Sequence, residues 1–168
     1  MDFLKTSQEG IDLIKFFEGF RAERYRDSGG IDTIGYGHAI RPGEKMSQIS
    51  TEEAENILKD DVEIAERYIQ RKLGYIRDQN EFDALVSFIF NIGQGNFETS
   101  SVHRYLKLKE PAMAMQWWAK WIRDSRSNIM PGLVSRREKE IRLFNQKGQY
   151  LTESKLKELF PNSKMVAA

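Results

Sequence analysis

Three side chains early in the chain have the types and spacing to act together: Glu18, Asp27 nine residues on, and Thr33 six further on. In a helical register Glu18 follows Ile14 by four positions and Ile11 by seven, so it shares their apolar stripe. It also sits where that helix should end, and the C-terminal end of a helix disfavours negative charge. Phe16, Phe17 and Phe20 crowd the same neighbourhood. Desolvation and dipole both work against the charged form, as a general acid near neutral pH requires. The alternative is a structural glutamate paired with Arg21 or Arg24. Asp27 precedes Ser28-Gly29-Gly30, where an aspartate also has purely local uses in a turn. Asp32 and Thr33 are neighbours on a predicted strand, so their side chains point to opposite faces. If Thr33 shares a cleft with Glu18, Asp32 faces away from it. Glu23 reads as surface charge. One carboxyl in apolar surroundings and one in polar surroundings suit glycoside hydrolysis. The first protonates the leaving oxygen, and the second manages charge or water across the sugar ring. A threonine hydroxyl can position that water.

The elements that must hold these groups follow from pattern. Thr6 and Glu9 have capping-box spacing ahead of Ile11, Ile14 and Phe17, which predicts a helix over 7–18 that Gly19 ends. From Glu23 to Ile40 the chain reads as short strands with tight turns, and Gly35 and Gly37 imply close backbone approach or unusual dihedrals. Ser50 and Glu53 form a second capping box, opening one long helix to Leu73 with Ala54, Ile57, Leu58, Val62, Ala65 and Ile69 on one face. Asp78 and Glu81 precede FDALVSFIF, apolar nearly all round and so central. Gly93 and Gly95 mark a loop, Ser101 caps the next helix, and Pro111 and Pro131 start two more. A last polar helix covers about 152–160, and the final residues fray.

Composition bounds the rest. The chain has 168 residues, 40% hydrophobic and 30% charged, ordinary for a globular protein. A net charge of +1 argues against a nucleic-acid binder. From Pro131 onward there are eight Lys/Arg against four Asp/Glu, either a solvated surface or an aid to approaching an anionic polymer. With no cysteine and only His38 and His103, a zinc site is not expected, and neither is any other metal or cofactor. No apolar run is long enough to span a membrane or serve as a signal peptide, which implies a chain made and kept in the cytoplasm until another factor releases it. His38 reads as a structural histidine near a lobe junction rather than a proton shuttle. The spacing of Gly35 and Gly37 lacks the glycines and lysine of a phosphate-binding loop. Trp117 and Trp121, at i and i+4, read as core rather than a sugar platform. Arg136 and Arg137 suit either contacts to carboxylates of a bound molecule or a salt-bridged helix surface.

EGFRAERYRDSGGIDTIGYGH, from Glu18 to His38, resembles the E-G-x-x-x-x-x-Y-x-D-x-x-G-x-x-T-I-G-Y-G-H signature of phage-type lysozymes, the endolysins of glycoside hydrolase family 24. FNIGQGNF with the following TSS resembles that family's central helix and loop. PGLVSRREKEIRLF resembles its late G-L-x-x-R-R helix. The resemblance runs from about Ser7 to Phe144. It implies a predominantly helical α+β lysozyme-like fold, one catalytic domain over 1–168. A small N-terminal lobe with hairpin strands (about 1–60) would join, through a long helix, a helical C-terminal lobe (about 61–168). It also implies a monomer that cuts peptidoglycan between N-acetylmuramic acid and N-acetylglucosamine. Glu18 would be the general acid, Asp27 and Thr33 would hold and activate water or stabilise positive charge, and Phe90 and Ser101 would line the cleft. A lytic transglycosylase would use Glu18 alone. A catalytically silent wall-binding module would not need the triad. The same enzyme could serve as a phage endolysin or as a secreted antibacterial effector, and the sequence of the domain suits both.

Overall fold

The structure is a computed structural model, and it describes residues 3–165. The frayed end expected from the sequence falls partly on 166–168, outside the described residues.

Helix α1 spans Gln8–Glu18 and is capped by Ser7, whose hydroxyl accepts the Gly10 N–H. Thr6, expected as the cap, instead donates its N–H and hydroxyl to Glu66 at 2.6 and 2.7 Å. The cap moves one residue because a buried carboxylate from a distant helix claims the threonine. Gly19 ends α1 with φ 69°, a left-handed conformation suited to glycine.

Three antiparallel strands follow in order: β1 (Arg21–Arg26), β2 (Asp32–Gly35) and β3 (His38–Ala39). Tyr25 pairs with Thr33, Thr33 with Ala39, and Ile34 with His38, while the β1–β2 register slips between Arg21 and Tyr25. Gly35 has φ 67°, and a Cβ there would lie 3.1 and 3.2 Å from Ile49 and Ala54, so backbone and helix meet closely as the sequence implied.

The connecting helix forms as α2 (Thr51–Asp61) and α3 (Glu63–Lys72), with the Ser50–Glu53 capping box in place. It is interrupted only at Val62, whose φ and ψ of −73° and −14° remain helical. Then come α4 (Gln79–Ile92), α5 (Gln94–Glu98), α6 (Ser101–Lys107), α7 (Pro111–Trp118), α8 (Pro131–Phe144) and α9 (Glu153–Leu159). The Gly93–Gly95 loop thus winds into one short helix. Helix α4 is the centre: Phe82, Leu85, Val86 and Phe88 are buried, and α1, α3 and α8 pack around it. The result is a small β lobe, a long connecting helix and a helical C-terminal lobe, the predominantly helical α+β architecture that the resemblance implied.

Ser100, not Ser101, caps α6, since its extended backbone lets the hydroxyl accept the His103 N–H. Among the tryptophans, Trp118 is fully buried, whereas Trp117 is 37% exposed with Lys120 over its ring. Trp121 does pack on the core, edge-on to Phe88, but it lies past the end of α7 at Trp118, so the i, i+4 relation that would have carried Trp117 inward does not hold.

Candidate active site

Glu18 occupies the last turn of α1, with its side chain 19% exposed. Its Oε2 accepts from Arg136 Nη1 of α8 at 3.3 Å. The β2–β3 turn closes on the other side: a Cβ on Gly37, whose φ is 80°, would lie 3.6 Å from Glu18 Oε1. The carboxyl is therefore clamped between a helix and a turn, yet open to solvent. Neither Arg21 nor Arg24 is its partner: Arg21 lies over the Tyr25 ring, and Arg24 bonds Met46 O and approaches Asp32. The apolar crowding is also thinner than expected. Phe16 is 68% exposed, with the Lys139 ammonium 3.9 Å from its ring centre.

Asp27 directly follows β1 and is exposed. Its Oδ1 accepts the Gly29 and Ile31 N–H groups at 2.8 and 2.9 Å, and its own N–H donates to Ile31 O. The side chain thus builds the β1–β2 turn. Thr33, on β2, is 4% exposed, and its hydroxyl donates to Ile31 O at 2.8 Å. With that proton committed, the oxygen can only accept from a further partner. Asp32 pairs with Arg24 at 3.8 Å and Arg26 at 3.5 Å on the more exposed side. Glu18 and Asp27 therefore stand at opposite ends of β2, with Thr33 between them along the strand. Phe90 is half-buried on α4, and Ser101 is the first residue of α6. Neither is joined to the three by a hydrogen bond or ion pair among the described residues.

The surroundings of Glu18 were the least visible part from sequence. Arg136 and Arg137 are 3% and 0% exposed, so they are neither surface residues nor free to meet a cell wall. Arg136 reaches Glu18, Glu140 and Ser87. Arg137 donates to Asn91 and lies over the Phe88 ring, with Nε 3.1 Å from Glu140 Oε1. That contact is an ion pair without hydrogen-bond geometry, and Nη1 is also without a hydrogen bond. Burial lowers the Arg137 guanidinium to about 10, against the pull of Glu140, and leaves it cationic at neutral pH. A sequence signal existed: Arg137, Ile141 and Phe144 fall on one helical stripe, which puts charge on the buried face of α8.

His38 bonds Asp61 at 2.7 Å and Glu44 at 2.9 Å, where the β lobe meets the connecting helix. Among the described residues no cluster of three His, Asp or Glu is placed to hold a metal ion, and no helix is long and apolar enough to cross a membrane.

The phage lysozyme family model matches residues 15–140, a span that begins in α1, takes in the three-stranded sheet and reaches Glu140. The chain belongs to the phage lysozyme family. It is 38% identical over 144 residues to an endolysin of Bacillus phage PZA, covering 84% of this chain and 55% of that protein. This chain thus spans about half the length of the Bacillus phage endolysins it matches. An endolysin of Salmonella phage P22 is 35% identical, with 84% of this chain and 98% of that one covered. The crystal structure of a P22 lysozyme mutant superposes with a TM-score of 0.72 at 34% identity, over 84% of this chain and 99% of the other. Within this phage lysozyme fold, the two sides of the clamp on Glu18, Gly37 and Arg136, both fall inside the matched span.

Proposed function

We propose that the chain is a muramidase of glycoside hydrolase family 24 that hydrolyses the β-1,4 bond between N-acetylmuramic acid and N-acetylglucosamine in peptidoglycan. The observation that carries the reading is the clamped but solvent-reachable Glu18 carboxyl, held by Arg136 at 3.3 Å and flanked by Gly37. A group held in one orientation at a lobe junction can meet a leaving oxygen without reorganising. Glu18 protonates the glycosidic oxygen. Asp27, whose Oδ1 is anchored by two backbone N–H groups, supplies negative charge at the far end of β2. Thr33, as an acceptor only, takes one O–H of a water and leaves the oxygen lone pair free for attack.

The separation of the carboxylates along a strand favours room for that water, hence inversion, which accompanies carboxyl spacings of roughly 6.5–9.5 Å rather than roughly 5–5.5 Å. Phe90 and Ser101 belong to this reading as cleft-lining residues. So does action on the wall after release from the cytoplasm. The test is digestion of purified cell walls by the wild type and by Glu18→Gln, with mass analysis of the fragments and proton NMR of the first-formed anomer. Reducing-end muropeptides of inverted configuration are expected. Anhydro products would mean transglycosylation, and retained configuration would remove the water-mediated step.

A further inference from the structure

Behind Glu18 lies a closed set of charges. Arg136 spreads its guanidinium over four contacts: Nη1 to Glu18 Oε2 at 3.3 Å, Nε to Glu140 Oε2 at 3.2 Å, and Nη2 to Ser87 O at 3.2 Å and, more loosely, Ser87 Oγ at 3.4 Å. Glu140 is fully buried, so it cannot touch a substrate. It accepts from Ser87 Oγ at 2.5 Å and Trp118 Nε1 at 3.0 Å, and it faces Arg137 at 3.1 Å. The charged groups facing Glu18 from α8 are therefore two cations and one anion, with the Lys139 ammonium further out over the Phe16 and Phe17 rings. Helix α4 presents Ser87 and Asn91, both uncharged. The β2–β3 turn presents Gly37, and on α1 itself Lys15 is directed to Asp12 and Glu55. Without Glu140, Glu18 would be the only anion beside two buried guanidinium groups and would be held as a carboxylate.

We propose that Glu140 is a positioning residue for the acid: it takes up the charge of Arg136 and Arg137 from behind, so that Arg136 can fix Glu18 in place while Glu18 still keeps a proton to give. The inference rests on the reading of Glu18 as the general acid. Two donors on Glu140, from Ser87 and Trp118, hold it in the position that makes this sharing possible.

The test compares Glu140→Gln and Ser87→Ala with the wild type in two measurements. One is the pH profile of kcat and KM on a soluble wall fragment. The other is the titration of the Glu18 carboxyl by carbon NMR in protein labelled with 13C-glutamate. Glu140→Gln should move the alkaline limb of kcat, and the Glu18 midpoint with it, to lower pH by roughly one unit or more, since that is the size of effect an adjacent guanidinium exerts. KM should stay unchanged. Ser87→Ala removes the 2.5 Å donor from Glu140, while Arg136 loses only its 3.4 Å contact to the hydroxyl and keeps Ser87 O; the less satisfied Glu140 draws Arg136 toward it and should move both readouts the opposite way. General loosening of the site would not give opposite signs. A folded Glu140→Gln protein with both readouts unmoved would overturn the proposal. If that variant does not fold, a Ser87→Ala midpoint that stays put or falls does the same. If the midpoints move as expected but the wild type leaves cell walls intact, the coupling stands and the muramidase reading fails.

Discussion

At Asp27 a turn and the proposed chemistry share one side chain. Asparagine keeps an oxygen to accept from Gly29 and Ile31, so Asp27→Asn should fold normally and lose about 10²-fold or more in activity. Asp32→Asn loses only ion pairs that are 3.5 and 3.8 Å long and about 42% exposed on the Asp32 side. Such pairs contribute about 0–1 kcal/mol, so its rate should stay within about twofold of wild type. Assaying both variants on one substrate checks the pair. Equal losses would mean that Asp32, not only Asp27, faces the cleft. Glu18→Gln keeps the size of the side chain and cannot donate the proton, and a drop on the order of 10²–10⁴-fold is expected. Measured activity above half of wild type would remove Glu18 from the acid's role. The placing of Glu18, Asp27 and Thr33 about one strand was legible because each sits within fifteen positions of the others in a segment dense with turn signals. The partners of Glu18 were not. Its contact with Arg136 spans 118 residues, and no local pattern reports a contact at that distance.

Among the elements, the tightest constraint is at the start of α1. A Cβ on Gly10 would lie 2.7 Å from Thr6 Cγ2 and 2.8 Å from Asp83 Cγ. Asp83 cannot retreat freely, because it accepts from Ser7 N–H at 3.0 Å, from the Ser7 hydroxyl and from Gln79 Nε2 at 2.7 Å. Gly10→Ala should therefore destabilise by about 1–3 kcal/mol through overpacking. That outweighs the roughly 1 kcal/mol that alanine gains in helix propensity. Urea unfolding checks the sign, and a net gain in stability would mean that α1 can move away from α4. Element types were readable wherever one signal acted alone. Ser50 with Glu53, Asp78, Pro111, Pro131 and Thr152 all begin helices as their chemistry dictates. Gly93 and Gly95 hid the short helix α5, and the misplaced caps came where two candidates competed. Thr6 lost the cap to Ser7 because Glu66 binds it, and Ser101 lost to Ser100 because only one serine of a pair can take the extended cap conformation.

For the molecule as a whole, the lobe junction carries a pH dependence. Burial alone would lower the proton affinity of His38. Its hydrogen bonds to Glu44 and Asp61, with their charges, outweigh that and raise its pKa above the usual 6.5. A raised folded value means that the stabilisation is fully present below about 6.5 and is lost as pH rises through the folded pKa. At the other end, the hydrogen bond from His38 lowers the Glu44 carboxyl, so its contribution is present above about 4.5 and fades as pH falls. Asp61 is raised chiefly by burial, and its ionisation works against stability once pH passes about 3.8. Wild-type Tm should therefore decline between pH 6 and pH 9, and His38→Gln should flatten that decline. Parallel Tm curves for the two proteins would mean that the junction is not held by a charged histidine.

The distance between Glu18 and Arg136 in the chain has a further consequence, for the order in which the molecule is made. Helix α1 leaves the ribosome before α4 and α8, but it rests on α4, and its last carboxyl is gripped by α8. Until residue 136 has emerged, Glu18 has no Arg136 guanidinium to orient it, although α4, on which α1 rests, is already made. An incomplete polypeptide therefore carries every residue of the proposed triad without the grip that aligns its acid. That grip arrives late, when α8 folds back against the end of α1.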